Sequence, residues 1–87
     1  MNAFIELPSI RNDEVLHIYR LWWDSLAREG LTFTCHWGQL HGMNPERVRK
    51  YFGERVDRWK AARDRLLFGD DARRVFSSRI LAEVGLD

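Results

Sequence analysis

The sequence predicts an α+β fold, with a strand–helix–strand unit over residues 1–40 and a helical C-terminal half over residues 44–87. Three observations predict it. Leu31-Thr32-Phe33-Thr34-Cys35-His36-Trp37 alternates apolar and polar residues, the period of a strand with one buried face. Val15, Tyr19, Trp22 and Leu26 recur at the spacing of one helical face. Asn44-Pro45-Glu46 combines a cap, a proline at the first helical position and an acid in the first turn, which opens a second helical region.

In chain order, Ala3-Phe4-Ile5-Glu6-Leu7 reads as a short strand ended by Pro8. Alternation puts Phe4 and Glu6 on one face and Ile5 and Leu7 on the other, so Glu6 faces either water or a site. Asn12 caps a helix whose first turn carries Asp13 and Glu14, where the dipole favours negative charge. The helix runs to about Arg28, and Gly30 is placed to end it. Leu16, Trp23 and Ala27 broaden its apolar face and Ile18 and Leu21 flank it, which calls for burial on more than one side. Arg20, Asp24 and Arg28 have the spacing of weak ion pairs. His17 reads as structural or solvated. In the second strand, Leu31, Phe33, Cys35 and Trp37 share one face and Thr32, Thr34 and His36 the other, which makes Cys35 a small buried hydrophobe rather than a nucleophile. The order suggests a βαβ-like or split ferredoxin-like unit. Two strands do not make a stable sheet. Either the chain dimerises through a strand edge, or the missing strands belong to a larger parent.

Gly38 to Met43 reads as a loop. Val48, Tyr51 and Phe52 give the following helix one apolar face, and Gly53 bends it. From Glu54 to Leu67 a stripe of Val56, Trp59, Ala62, Leu66 and Leu67 is expected to be buried. Arg55, Arg58, Arg63 and Arg65 surround that stripe, and Glu54, Asp57 and Asp64 interrupt the positive charge, so a solvated face is favoured over a nucleic-acid surface. Phe68 to Asp71 reads as a turn and Arg73 to Ser77 as extended. Ser78 caps a last helical turn through Val84, closed by Gly85.

Eighty-seven residues allow one domain, or a fragment of one. A chain of this size buries only about 60–65% of its unfolded surface. Hydrophobic residues make up 45% and charged residues 31%, which is globular composition; four Trp and five Phe call for an apolar core or a docking surface. A net charge of +1 gives no field for nucleic acid or an anionic membrane. Only Lys50 and Lys60 are lysines, and arginine suits fixed ion pairs. The single Cys35 rules out an intrachain disulfide and a cysteine-based metal site, and fits a cytoplasmic location. No apolar run reaches the roughly 18–20 residues of a membrane span, and no signal peptide is expected at the N-terminus.

No complete catalytic constellation is visible. Ser9, Ser25, Ser77 and Ser78 lack a nucleophile-elbow context, no glycine loop cradles phosphate, and His36 and His41 have no acid near them in sequence, so no metal site is expected. What remains is the end of the second strand. His36, Gln39 and, on strand geometry alone, Glu6 are polar groups that can orient a hydroxyl or bond a cofactor's polar edge.

His36-Trp37-Gly38-Gln39 and the segment after it resemble the C-terminal end of flavin-dependent oxidases of the vanillyl-alcohol oxidase superfamily. The similar branch acts on aldonolactones and alditols, with related members acting on sterols. It carries a strand ending in His-Trp-Gly-Lys, a helical stretch, an Asp-Pro-x-Gly-x-Phe-like turn and a short terminal helix. The counterparts here are His36 to Gln39, Val48 to Leu67, Asp71 to Phe76, and Ile80-Leu81. The segment from Phe4 to Gly30 fits the end of that family's ferredoxin-like cap domain.

The resemblance implies a parent enzyme that oxidises a CH–OH group and passes hydride to FAD. It places His36, Trp37 and Gly38 on the cofactor and Gln39 in a catalytic position, with Glu6 added from strand geometry. The family's lysine is Gln39 here, and the Asp-Pro-x-Gly turn lacks its Pro and Gly, which leaves the substrate open between lactone, alditol and sterol. The flavin-binding domain has no counterpart in the sequence. The expectation is therefore a C-terminal substrate-domain segment, inactive alone and not binding FAD by itself, whose partner is the FAD-binding domain of a parent oxidase. The rival expectations are a small α/β module that homodimerises and, less favoured, an arginine-based nucleic-acid binder.

Overall fold

The computed structural model describes residues 3–37 and 39–87. It contains five helices, α1 (Asp13–Arg28), α2 (Pro45–Phe52), α3 (Glu54–Leu66), α4 (Asp70–Phe76) and α5 (Arg79–Glu83). No strand occurs among the described residues, so the α+β, ferredoxin-like expectation is wrong. The chain divides into two compact units, Met1–Thr32 and Phe33–Asp87.

In the first unit, Asn12 Oδ1 accepts the Val15 N–H at 2.8 Å and caps α1 as its sequence predicts. Gly30, at φ 73°, ends the helix: its N–H reaches the Ala27 carbonyl, and the Leu31 N–H reaches that of Leu26. That pair of bonds is a Schellman motif. The Tyr19 hydroxyl donates to the Leu7 carbonyl. None of the residues of α1 is buried. Phe4 and Ile10 are almost fully exposed, at 97% and 86%.

The second unit holds the core. Met43, Val48, Val56 and Val84 are buried together, with Phe33, Cys35, Trp37, Tyr51, Phe52 and Leu86 packed against them. Asn44 Oδ1 accepts the Arg47 N–H at 2.8 Å, and Pro45 starts α2. Gly53, at φ 52°, turns α2 into α3. Ser78 caps α5 by accepting the Leu81 N–H. Gly85 then closes α5 with a second Schellman pair, Gly85 N–H to the Ala82 carbonyl and Leu86 N–H to that of Leu81.

The two expected strands fail for one physical reason. A strand is stabilised by a paired neighbour, and neither Ala3–Leu7 nor Leu31–Trp37 has one. From Phe33 onward the alternation in the second segment is nevertheless expressed as burial, whereas Leu31, expected on the same face, is 53% exposed. Phe33, Cys35 and Trp37 are half-buried on the core, while Thr32, Thr34 and His36 are exposed. Apolar contact with helices supplies that burial without a hydrogen-bonded ladder.

Two further readings change. Arg73–Ser77 is not extended: Asp70 to Phe76 form α4, and only Ser77 has extended backbone (φ −82°, ψ 148°). Asp70 and Asp71 at the start and Arg73 and Arg74 at the end complement the dipole of this short helix. The stripe on α3 is only partly covered. Val56 is buried and Ala62 and Leu67 are half-buried, whereas Trp59 and Leu66 are 47% and 77% exposed. Helices of seven and five residues are too short to roof one of thirteen.

Candidate functional site

The segment that carries the sequence motif wraps the start of α2. The Gly42 N–H donates to Cys35 Sγ at 3.4 Å, and the Arg47 guanidinium donates to the Gly42 carbonyl at 2.7 Å. The same guanidinium lies 5.7 Å over the Phe33 ring, a cation–π contact. Phe33 in turn tilts against Tyr51, with centroids 5.3 Å apart. The Met43 N–H donates to His41 Nδ1 at 3.3 Å, which leaves the neutral ring's proton on Nε2. A loop held at Cys35, Gly42 and Met43 therefore has a fixed path although it lacks regular structure.

Within that path, Trp37 is half-buried, and its indole N–H donates to Thr34 Oγ1 at 3.1 Å. The Gln39 N–H closes a turn on the His36 carbonyl at 3.2 Å. The side chains of His36 and Gln39 are on the exposed surface of this turn. Gly38 lies outside the described residues. Glu6 is exposed in the other unit and has no partner strand, so the pairing that suggested it for catalysis does not exist. His36 and Gln39 share one turn, and among the described residues there is no strand to bring a further polar group to it.

Next to Trp37 lies an open apolar groove of about 180 Å³. Val48 and Val56 form its floor, and Trp37, Phe52, Trp59 and Leu86 its walls. Arg55 stands at the rim, its guanidinium 5.4 Å over the Phe52 ring. Leu86 is held in the groove's wall by a set of bonds to the C-terminal residues. The Trp59 indole donates to the Leu86 carbonyl at 3.0 Å. Arg63 donates to Asp87 Oδ1 at 2.6 Å and to Ser77 Oγ at 3.0 Å, and the Ser77 hydroxyl donates to the same Asp87 oxygen at 2.9 Å. The Arg63 side chain is 9% exposed, which makes this triad the best-shielded ion pair described. Sequence reasoning named Trp59 and Arg63 only as stripe and rim. Their tie to Leu86 and Asp87 spans more than twenty positions and has no local signal.

This groove does not fit FAD. A groove of about 180 Å³ is smaller than the roughly 300 Å³ at which ligand pockets begin, and its lining offers no row of amides for a pyrophosphate. Among the described residues no group of three His, Cys, Asp or Glu could hold a metal ion. No described helix is long and apolar enough to cross a membrane. What the arrangement can do is receive apolar side chains. No family model, curated protein or solved structure matches the chain.

Proposed function

We propose that this chain is the C-terminal substrate-domain segment of a flavin-dependent oxidase acting on CH–OH groups, and that it works only when seated on the FAD-binding domain of a parent enzyme. The observation that carries the reading is His36-Trp37-Gly38-Gln39 followed by a helical stretch and a short terminal helix, elements shared with the lactone-, alditol- and sterol-oxidising branch, although the strand that bears the motif there is absent among the described residues and α4 stands where that branch has its turn. An unburied α1 and the open groove beside Trp37 agree with it, since both are surfaces that a neighbouring domain would cover. In that assembly, by the resemblance, His36 and Trp37 would lie beside the flavin with the motif's glycine between them and Gln39, which would offer the substrate oxygen a neutral amide. A cytoplasmic location goes with this reading.

The test is the coding sequence upstream of Met1. An open frame that continues into glycine-rich phosphate-binding loops is the expected result. An in-frame stop followed by a ribosome-binding site would overturn it. The isolated chain is also expected to purify colourless, and near-stoichiometric flavin absorbance would contradict the assignment of FAD to another domain.

One observation favours a second reading, a stand-alone interaction module. The Phe33–Asp87 unit closes its own core and ties down its own C-terminal residues. A single cooperative melting transition for the isolated chain supports this reading, and a non-cooperative melt removes it.

A further inference from the structure

Chemistry limits what can fill the groove beside Trp37. Its floor and walls are apolar, and both indole N–H groups in the walls are already bonded, that of Trp37 to Thr34 and that of Trp59 to Leu86. Among the described lining residues only Arg55 has donors to spare. A nucleobase would leave its ring nitrogens and carbonyls unbonded there, at a cost of about 1–3 kcal/mol for each group. An apolar side chain gives up no hydrogen bond by entering. A volume of about 180 Å³ has room for one such side chain rather than for the several anchors of a docked helix.

Charge around the groove selects the segment that carries the side chain. At 3.6 residues per turn, Arg55 lies about 40° round α3 from Trp59, and Arg58 about 100°. Glu54, Asp57 and Asp64 all lie roughly 140° or more away. Asp57 and Asp64 are also held, by Arg49 at 2.8 Å and by Arg73 at 3.0 Å. On the groove side Arg63 is met by Asp87, so that pair adds no net charge. Arg55 and the exposed Arg58 meet no carboxylate among the described residues. Arg55 Nε donates to the Phe52 carbonyl at 3.4 Å while the guanidinium lies over the Phe52 ring. These contacts hold the side chain at the rim and leave its two terminal nitrogens open. A planar fork held in this way suits a carboxylate.

We infer that this groove takes one large apolar side chain from an acidic segment of the partner domain, with the carboxylates that flank it on Arg55 and Arg58. The inference rests on the reading that a partner domain covers this surface, and adds what that domain presents. A single anchor and one or two exposed ion pairs make the isolated contact weak, with a dissociation constant of about 1 mM.

The test is a titration of the full, isotope-labelled chain, followed by nuclear magnetic resonance through the indole N–H signals of its four tryptophans. The probe is a short peptide with one phenylalanine between aspartates. The Trp37 and Trp59 signals should move, with half-saturation at about 1 mM, and those of Trp22 and Trp23 should stay. Alanine in place of the phenylalanine should weaken binding at least about tenfold, and lysines in place of the aspartates about fivefold. Arg55→Glu puts a further acid in the first turn of α3, where the dipole favours it, so the helix is retained and the preference for aspartate should disappear. Unmoved Trp37 and Trp59 signals, equal binding of the aspartate and lysine peptides, or an unchanged preference in Arg55→Glu overturns the inference. So does an oligothymidylate that moves the same signals at lower concentration than the peptide. Peptide binding and the upstream frame are read separately, so the failure of one is not the failure of the other.

Discussion

The two units of this chain meet the same problem, a surplus of large apolar residues, and solve it differently. Phe33–Asp87 turns helices, a loop and the C-terminal residues onto four buried side chains and pins the end of the chain with Trp59, Arg63 and Ser77. Met1–Thr32 has a longer, well-capped helix with more aromatic residues, yet none of the residues of that helix is buried. Periodicity makes a helix in both. A core needs a second element to lie against, and only the second unit contains several. The first unit is therefore where a partner has most to offer.

Substitutions can break or sharpen this contrast. Gly85→Ala should have the largest effect. Gly85 has φ 76°, and an added Cβ would lie 2.9 Å from Pro45 Cβ, so strain and overpacking combine to cost about 3 kcal/mol. That is most of the margin of so small a unit, and thermal unfolding should show loss of the cooperative transition. Val84→Ala, at a fully buried position, should cost about 2 kcal/mol in the same assay. Arg63→Ala removes the shielded partner of Asp87 and should cost about 1–2 kcal/mol, with limited proteolysis beginning at the C-terminus. Asn44→Ala and Asn12→Ala delete equivalent caps, each worth about 1 kcal/mol. The first should lower the melting temperature, whereas the second should reduce helical ellipticity and leave the melting temperature in place. Equal shifts from both would show that the two units unfold as one. The smallest change is Tyr51→Phe. The Tyr51 hydroxyl is buried with no hydrogen-bond partner, so its removal should leave stability unchanged or raise it by up to about 1 kcal/mol.

Much of the fold is legible in the sequence because it is local. Asn12, Asn44 and Ser78 cap the helices they announce, Gly30 and Gly85 end theirs, and Gly53 marks the bend. The strands were misread because an alternating pattern reports which side chains are buried, not what buries them. Phe33, Cys35 and Trp37 are on the core side as their spacing implies, but helices do the covering. Arg73 to Ser77 reads as extended in the sequence, but Asp70 to Phe76 form α4, with acids at its start and bases at its end that complement the helix dipole. Of the candidate site, His36, Trp37 and Gln39 are legible as a motif. The exposed setting of His36 and Gln39, the lack of any strand to carry Glu6, and the groove walled by Trp59 and Leu86 are not.

By itself, the sequence determined where α1, α2 and α5 begin, which residues of the Phe33–Trp37 segment turn inward, and that a lone cysteine and a net charge of +1 leave no intrachain disulfide and no strong field. Caps, glycine stops and periodicity act over four residues or fewer, so they can be read from the chain. Only the tertiary structure decided that α1 goes unburied while Val48, Val56 and Val84 share a core, that Arg63 reaches Asp87, and that Gly85 must be glycine because Pro45 lies against it. These depend on which distant segments come together, and the free energy of apolar burial that brings them together is proportional to area and blind to order along the chain.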